Sequence, residues 1–257
     1  MRRKGWLRRG GRVGRRVPIL CLGSSAALTD GGPWSSLLVD GRVLLEIPPT
    51  TVPQLHRYRL DPSRIDWLFV SHLHADHVFG LPFLLLEFFI RHERSSPLTL
   101  IGPSGLTDYV HALCDLAWRG LCTGGPERLM PLAFVEATAG QETAVGPLRF
   151  VAFPMVHFGL PALGYRISYR GRKIAYSGDT GPCPGLDALL EGADVAIVEM
   201  THPHPTEDEG HLDAADVARL AAPLAARGAK VLATHMTGRP RRIPGVTFCR
   251  PGRTYRV

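Results

Sequence analysis

The chain has no asparagine, only three lysines against 27 arginines, and no Cys-x-x-Cys pair. The first two features look like GC-rich coding bias. The third excludes chemistry. The five cysteines (Cys21, Cys114, Cys122, Cys183, Cys249) are odd in number and scattered along the length. That argues against a disulfide framework and a thiolate zinc site, and it favours a reducing cytoplasm. Long apolar runs are missing too. The most apolar stretch, VFGLPFLLLEFFI at 78–90, is too short to span a bilayer and carries Glu87, so a buried helix is expected there. The basic start is not followed by an adequate apolar region and a small-residue cleavage site, which argues against a signal peptide.

Acidic residues are absent from 1–16, where eight basic ones stand (Arg2, Arg3, Lys4, Arg8, Arg9, Arg12, Arg15, Arg16). Without them, 22 basic residues face 23 acidic ones, so the net charge of +7 belongs to this Gly/Arg tail and not to the body. Like-charge blocks of this kind are usually disordered. The expectation is a basic disordered tail at 1–16, able to touch nucleic acid or anionic lipid by charge alone, ahead of one domain at 17–257. A hydrophobic fraction of 45% with 21% charged residues suits an ordinary α/β domain of this length.

Strands are predicted at 17–23, 35–40, 42–47, 65–72, 97–102, 131–136, 147–153, 163–170, 172–177, 193–200 and 229–235. Helices are predicted at 53–60, within 78–90, at 104–118 and at 213–228, the last opening at Asp213. Two blocks of strands, each finished by helices, suggest a four-layer αββα sandwich.

The chemistry sits in Ser71-His72-Leu73-His74-Ala75-Asp76-His77, directly after the apolar strand IDWLFVSH. Four metal-capable side chains within six residues would be a costly accident if buried without a partner. A tight loop lets His72 and His74 face one ion while Asp76 and His77 turn toward a second. Imidazole and carboxylate are ligands that zinc accepts at about 2.0–2.2 Å.

This His-x-His-x-Asp-His run resembles the signature of the metallo-β-lactamase superfamily. The resemblance covers roughly 17–240 and implies three further ligands at strand ends: His157 in FPMVH, Asp179 in AYSGDT and His235 in VLATH. It implies that His72, His74 and His157 hold one metal, that Asp76, His77 and His235 hold the other, and that Asp179 bridges them. Two divalent ions are implied, Zn2+ by default, with Mn2+ or Fe2+ also compatible with the donors. Such a pair, about 3.5–4 Å apart, would activate a bridging water and bind developing negative charge, with Asp76 assisting as well as ligating.

His211 lies outside that set. Gly210-His211-Leu212-Asp213 resembles a motif of the ribonuclease Z-like and cyclic-phosphate phosphodiesterase branches, whose histidine faces the scissile phosphate. Its role would be to protonate the leaving alkoxide or stabilise phosphoryl charge; the competing reading is a helix-entry histidine beside an Asp213 N-cap. The opening hairpin also resembles that branch, although Glu46-Ile47-Pro48 replaces its usual Asp-x-Gly. Glu46 would then stand in as the partner of a metal-ligating histidine. Only 21 residues separate His157 from Asp179, where a tRNA-processing member would carry a long arm.

The expected function is therefore a metal-dependent phosphodiesterase acting on a small or cyclic phosphodiester or on RNA, with Asp76 and His211 as catalytic residues. One alternative is a lactonase- or thioesterase-type carbonyl hydrolase, which would not need His211. Another is a nucleic-acid-binding protein with structural metals, which the doubled ligand set disfavours. His202 and His204, in a Pro-flanked loop, lack the spacing of a third metal site. His56, His92 and His111 read as surface residues, and TGGP at 123–126 as a turn. The apolar segment 83–90 would serve core packing or a homodimer contact.

Overall fold

The computed structural model describes residues 16–27, 29, 31–91, 96–122, 132–239 and 242–257. Most of the basic tail, TGGP and His92 lie outside these. In the first half, β1 (Pro18–Gly23), β2 (Ser36–Val39), β3 (Val43–Leu45), β4 (Trp67–Phe69), β5 (Leu98–Gly102) and β6 (Leu132–Glu136) form one sheet in sequential order. The second half builds the other sheet from β7 (Glu142–Val145), β8 (Leu148–Met155), β9 (Ala162–Tyr169), β10 (Arg172–Tyr176), β11 (Val195–Glu199), β12 (Lys230–Thr234) and β13 (Val246–Phe248). The last strand, β14 (Thr254–Arg256), returns to the first sheet and pairs antiparallel with β1.

Period-2 alternation assigns each strand's side chains to two cores. Trp67, Phe69 and Ile101 face inward to meet Phe150, Tyr165, Ile174, Ile197 and Leu232 of the opposite sheet. Leu68, Val70, Leu98 and Leu100 face outward and are covered by α1 (Thr51–Arg57), α3 (Leu81–Ile90) and α4 (Leu106–Ala117). On the far side, Ala175, Ala196, Val198, Val231 and Ala233 lie under α5 (Pro184–Leu190) and α6 (Ala214–Ala226). The layers are α, β, β, α, as the sequence suggested. No helix among the described residues is long and apolar enough to cross a membrane.

Several expectations are corrected. The apolar segment 78–90 is not one helix: a short α2 (Ala75–Val78) ends at Phe79, and α3 begins after Gly80. A Cβ on Gly80 would lie 2.2 Å from the Pro48 carbonyl oxygen, so the helix break packs directly on the β3–α1 loop. Helix α3 buries Leu81, Leu84, Leu85 and Phe88 while leaving Phe83, Phe89 and Ile90 exposed. Helix α1 starts at Thr51, two residues earlier than predicted. Strands β7, β13 and β14 and helix α5 were not foreseen. The three strands are short and only partly buried, so no apolar run announces them.

Two predicted turns match their backbone. Arg170 and Gly171 both adopt positive φ (49° and 77°), the geometry a two-residue hairpin between β9 and β10 demands. Asp213 caps α6: its Oδ1 accepts the N–H groups of Ala215 (2.7 Å) and Asp216 (2.9 Å), and Asp216 reaches back to the Asp213 N–H. Asp213→Ala is expected to cost about 1 kcal/mol, readable as a lower urea midpoint at unchanged slope.

Candidate metal centre

All seven sequence-predicted ligands converge where carboxyl ends of strands from both sheets meet. His72 and His74 follow β4, His157 follows β8, Asp179 follows β10 and His235 follows β12; Asp76 and His77 project from α2. Parallel pairing of β10, β11 and β12 brings the last residues of these strands to one edge. Two contacts hold the loops of the two sheets together. Tyr165 donates its hydroxyl to the Val70 carbonyl at 2.8 Å, and the Leu163 N–H donates to the Ser71 carbonyl at 2.9 Å. Gly178 (φ 59°) lies so close to Ser71 that a Cβ would come within 2.3 Å of the serine's own. Only glycine fits that approach.

The donor atoms form two adjoining groups. In one, His74 Nδ1 lies 2.9 Å from His72 Nε2 and 3.2 Å from His157 Nε2. In the other, Asp179 Oδ2 lies 3.1 Å from His77 Nε2 and 3.2 Å from His235 Nε2, and Asp76 Oδ2 is 3.5 and 3.4 Å from the same two nitrogens. Asp179 also groups with His72 and His77, so its carboxylate stands between the two sets. Separations near 3 Å are those of donors surrounding a common ion at about 2 Å.

The outer ring nitrogens explain which inner ones are free. His157 Nδ1 donates to the Gly210 carbonyl at 2.9 Å, and His72 Nδ1 meets Ser71 Oγ at 3.0 Å. Thr201 gives its hydroxyl proton to Glu199 Oε2 (2.8 Å) and so accepts from His235 Nδ1 (2.9 Å). Each contact leaves an Nε2 lone pair turned inward, the usual way a protein fixes the tautomer of a ligating histidine. Burial depresses His72 well below the ordinary imidazole range and His157 below it, keeping both as neutral donors.

Glu46 is fully buried at positive φ (59°), and its carboxylate accepts the Ser71 N–H at 3.0 Å. Its Oε2 lies 3.6 Å from His77 Nδ1, too long for a hydrogen bond, and that buried nitrogen has no hydrogen-bond partner. Glu46 therefore faces His77 as a charge partner. With Asp76 and Asp179 it makes three carboxylates around one imidazole, an environment that draws in positive charge. Burial alone would raise the Asp76 carboxyl; His235 and His77 outweigh it and hold the group well below the usual range. A nitrogen- and carboxylate-rich, thiol-free donor set with bare inward lone pairs fits two divalent ions.

His211 is brought to the same place. Its Nδ1 donates to Glu199 Oε1 at 2.8 Å, and its ring stacks on His235 (5.6 Å between centroids, 20° between planes). The ring also meets His157 edge-on at 4.9 Å. Glu199, missed in the sequence, is buried at the end of β11 and also accepts the N–H groups of Thr180 and Thr201. Its one signal was a carboxylate closing the apolar run VAIVE. Burial alone would lower His211, but the hydrogen bond and charge of Glu199 outweigh it and raise the group to about 9. Asp213 caps the helix, and the His211 ring nonetheless lies at the centre rather than on the surface.

The remaining histidines go elsewhere. His202 pairs with Asp208 at 2.8 Å and joins no metal-capable group among the described residues. His204 is exposed, as are His56, beside Glu87 at 3.0 Å, and His111, against the Phe134 ring.

A family model described as "Beta-lactamase superfamily domain" matches residues 32–236. A ribonuclease Z of Ignicoccus hospitalis is 29% identical over 244 residues, spanning 76% of this chain and 78% of the relative. Among solved structures, the short form of human tRNase Z aligns with a TM-score of 0.70 at 24% identity, over 93% of this chain and 98% of that one. A diphosphatase of the PhnP family aligns at 0.73 and 18% identity, over 93% and 97%. The likenesses to solved structures speak for the fold, and the family match spans most of the chain. The chain thus belongs to the beta-lactamase superfamily and is one of its metal-dependent hydrolases.

Proposed function

We propose that the protein is a phosphodiesterase whose metals are held by His72, His74, Asp76, His77, His157, Asp179 and His235, with zinc as the resident ion. The nitrogen-rich donor set supports zinc. When bound, the ions supply the Lewis acidity that activates water and neutralises phosphoryl charge. Asp76 orients the attacking water. His211 keeps its Nδ1 on Glu199, which leaves Nε2 as the atom that delivers a proton to the departing oxygen.

The observation that carries this reading is the Glu199–His211 pair beside the ligand set. A ring nitrogen of His211 lies within 4.8 Å of the donor atoms of His157 and Asp179, within reach of a phosphoryl group held there. Acyl transfer at a metal pair does not require such a donor. The ribonuclease Z relative supports a phosphodiester substrate. Between His157 and Asp179 the chain forms only the plain β9–β10 hairpin, which favours a small or short substrate over a clamped tRNA.

The test is metal content of the purified protein together with turnover of bis(p-nitrophenyl) phosphate, a lactone and a thioester. Near two ions per chain with phosphodiester turnover is expected. Two ions with turnover of the lactone or thioester alone would assign the protein to carbonyl chemistry, and a metal-free active protein would remove the premise.

A further inference from the structure

Phe158 follows His157 directly and does not turn into the core. It holds a left-handed backbone (φ 46°) and leaves 62% of its surface exposed. Its ring meets His157 at 4.7 Å between centroids and His211 edge-on at 5.5 Å. Bulky residues seldom accept positive φ, and such positions gather at functional sites.

The ring's place is built, not incidental. Val156 is pinned on both sides of its peptide to the loop that carries Asp179: its N–H donates to Thr180 Oγ1 at 3.1 Å, and its carbonyl accepts the Gly181 N–H at 2.8 Å. Across from the ring, Gly210 has no positive φ to explain it; a Cβ there would sit 2.6 Å from Phe158 Cε1. Glycine at 210 leaves the aromatic ring its space in this position. Val156 (49% exposed) and Leu160 (41%) extend the same apolar lip. An open, flat ring beside the ligand set suits stacking, whereas an acyl chain needs an enclosed pocket.

We infer that Phe158 is a stacking platform for the nucleobase next to the scissile phosphate, so that the substrates are nucleotide phosphodiesters. This rests on the phosphodiesterase reading and narrows it. Bases stack on aromatic rings whatever their sequence, and removing such a ring commonly costs about tenfold or more in affinity.

The experiment uses the zinc-loaded protein and two substrates with one leaving group, thymidine 5′-(p-nitrophenyl phosphate) and methyl p-nitrophenyl phosphate. Phe158→Ala is expected to lower kcat/KM roughly tenfold on the nucleoside ester, chiefly through KM. The methyl ester should stay within about twofold, and Phe158→Trp should keep the nucleoside preference. Equal losses on both substrates, or no loss on either, would overturn the inference. Calorimetry supplies a second arm: adenosine 5′-monophosphate should bind the wild type about tenfold more tightly than ribose 5-phosphate, and Phe158→Ala should erase that difference. If the wild type turns over neither ester, the phosphodiesterase reading fails; equal affinities in the calorimeter would then overturn the platform separately.

Discussion

His211→Ala is expected to lower kcat on a dialkyl phosphodiester by about 10²–10⁴-fold while leaving the metal content unchanged. The size follows from the task. An alkoxide is a poor leaving group unless protonated as it departs, and His211 has its other nitrogen committed to buried Glu199 at 2.8 Å. The loss should shrink to less than about tenfold when p-nitrophenolate departs, because that anion needs no proton. Rapid kinetics on the two substrate types, with metal analysis of the same samples, makes the comparison. An equal loss on both would show that His211 stabilises charge instead of moving a proton. Lost metal would make it a ligand, which its grouping with Glu199 and His235 makes worth measuring.

The second large effect is predicted at Asp179. Its carboxylate meets His77 and His235 at 3.1 and 3.2 Å and also groups with His72 and His157. Asp179→Ala should therefore reduce bound metal from two ions per chain to one or none and take phosphodiester turnover below detection. Removing it also leaves four buried imidazoles, His72, His77, His157 and His235, crowded together without their shared anion. In the wild type, an excess of metal at 100 times its dissociation constant adds about 2.7 kcal/mol to folding. For a chain of this size that corresponds to roughly 5–11 °C in Tm. Chelation should remove that increment from the wild type and shift Asp179→Ala by clearly less. A variant that keeps both ions and its chelator response would show that Asp179 does not bridge.

Much of this centre was legible because its parts sit at strand ends. The run from His72 to His77 is local, so spacing alone made it conspicuous. His157, Asp179 and His235 are each unremarkable in isolation and gained meaning only from their order in the resemblance. Glu199 illustrates the limit. A single acid at the end of VAIVE has no local pattern, and its importance arises because parallel pairing puts the end of β11 between those of β10 and β12. The same holds for Phe158, which reads as one more apolar residue until the tertiary structure leaves it exposed beside His211.

In the sequence by itself, the succession of strand and helix blocks pointed to the layer architecture, the run from His72 to His77 stood out by its spacing, and the resemblance added His157, Asp179 and His235 as candidate donors. The sequence also announced the hairpin turn at Arg170-Gly171 and the cap at Asp213, both set by a few adjacent residues. The tertiary structure decided what depends on distant packing. It split 78–90 at Gly80, where the chain presses on the Pro48 carbonyl, and added the short edge strands β7, β13 and β14. It set Glu46 in the left-handed region facing His77, and it joined Glu199 to His211 across 12 residues of chain. Those contacts join residues of different strands and loops that meet only once each half has packed, and no local pattern in the chain announces them.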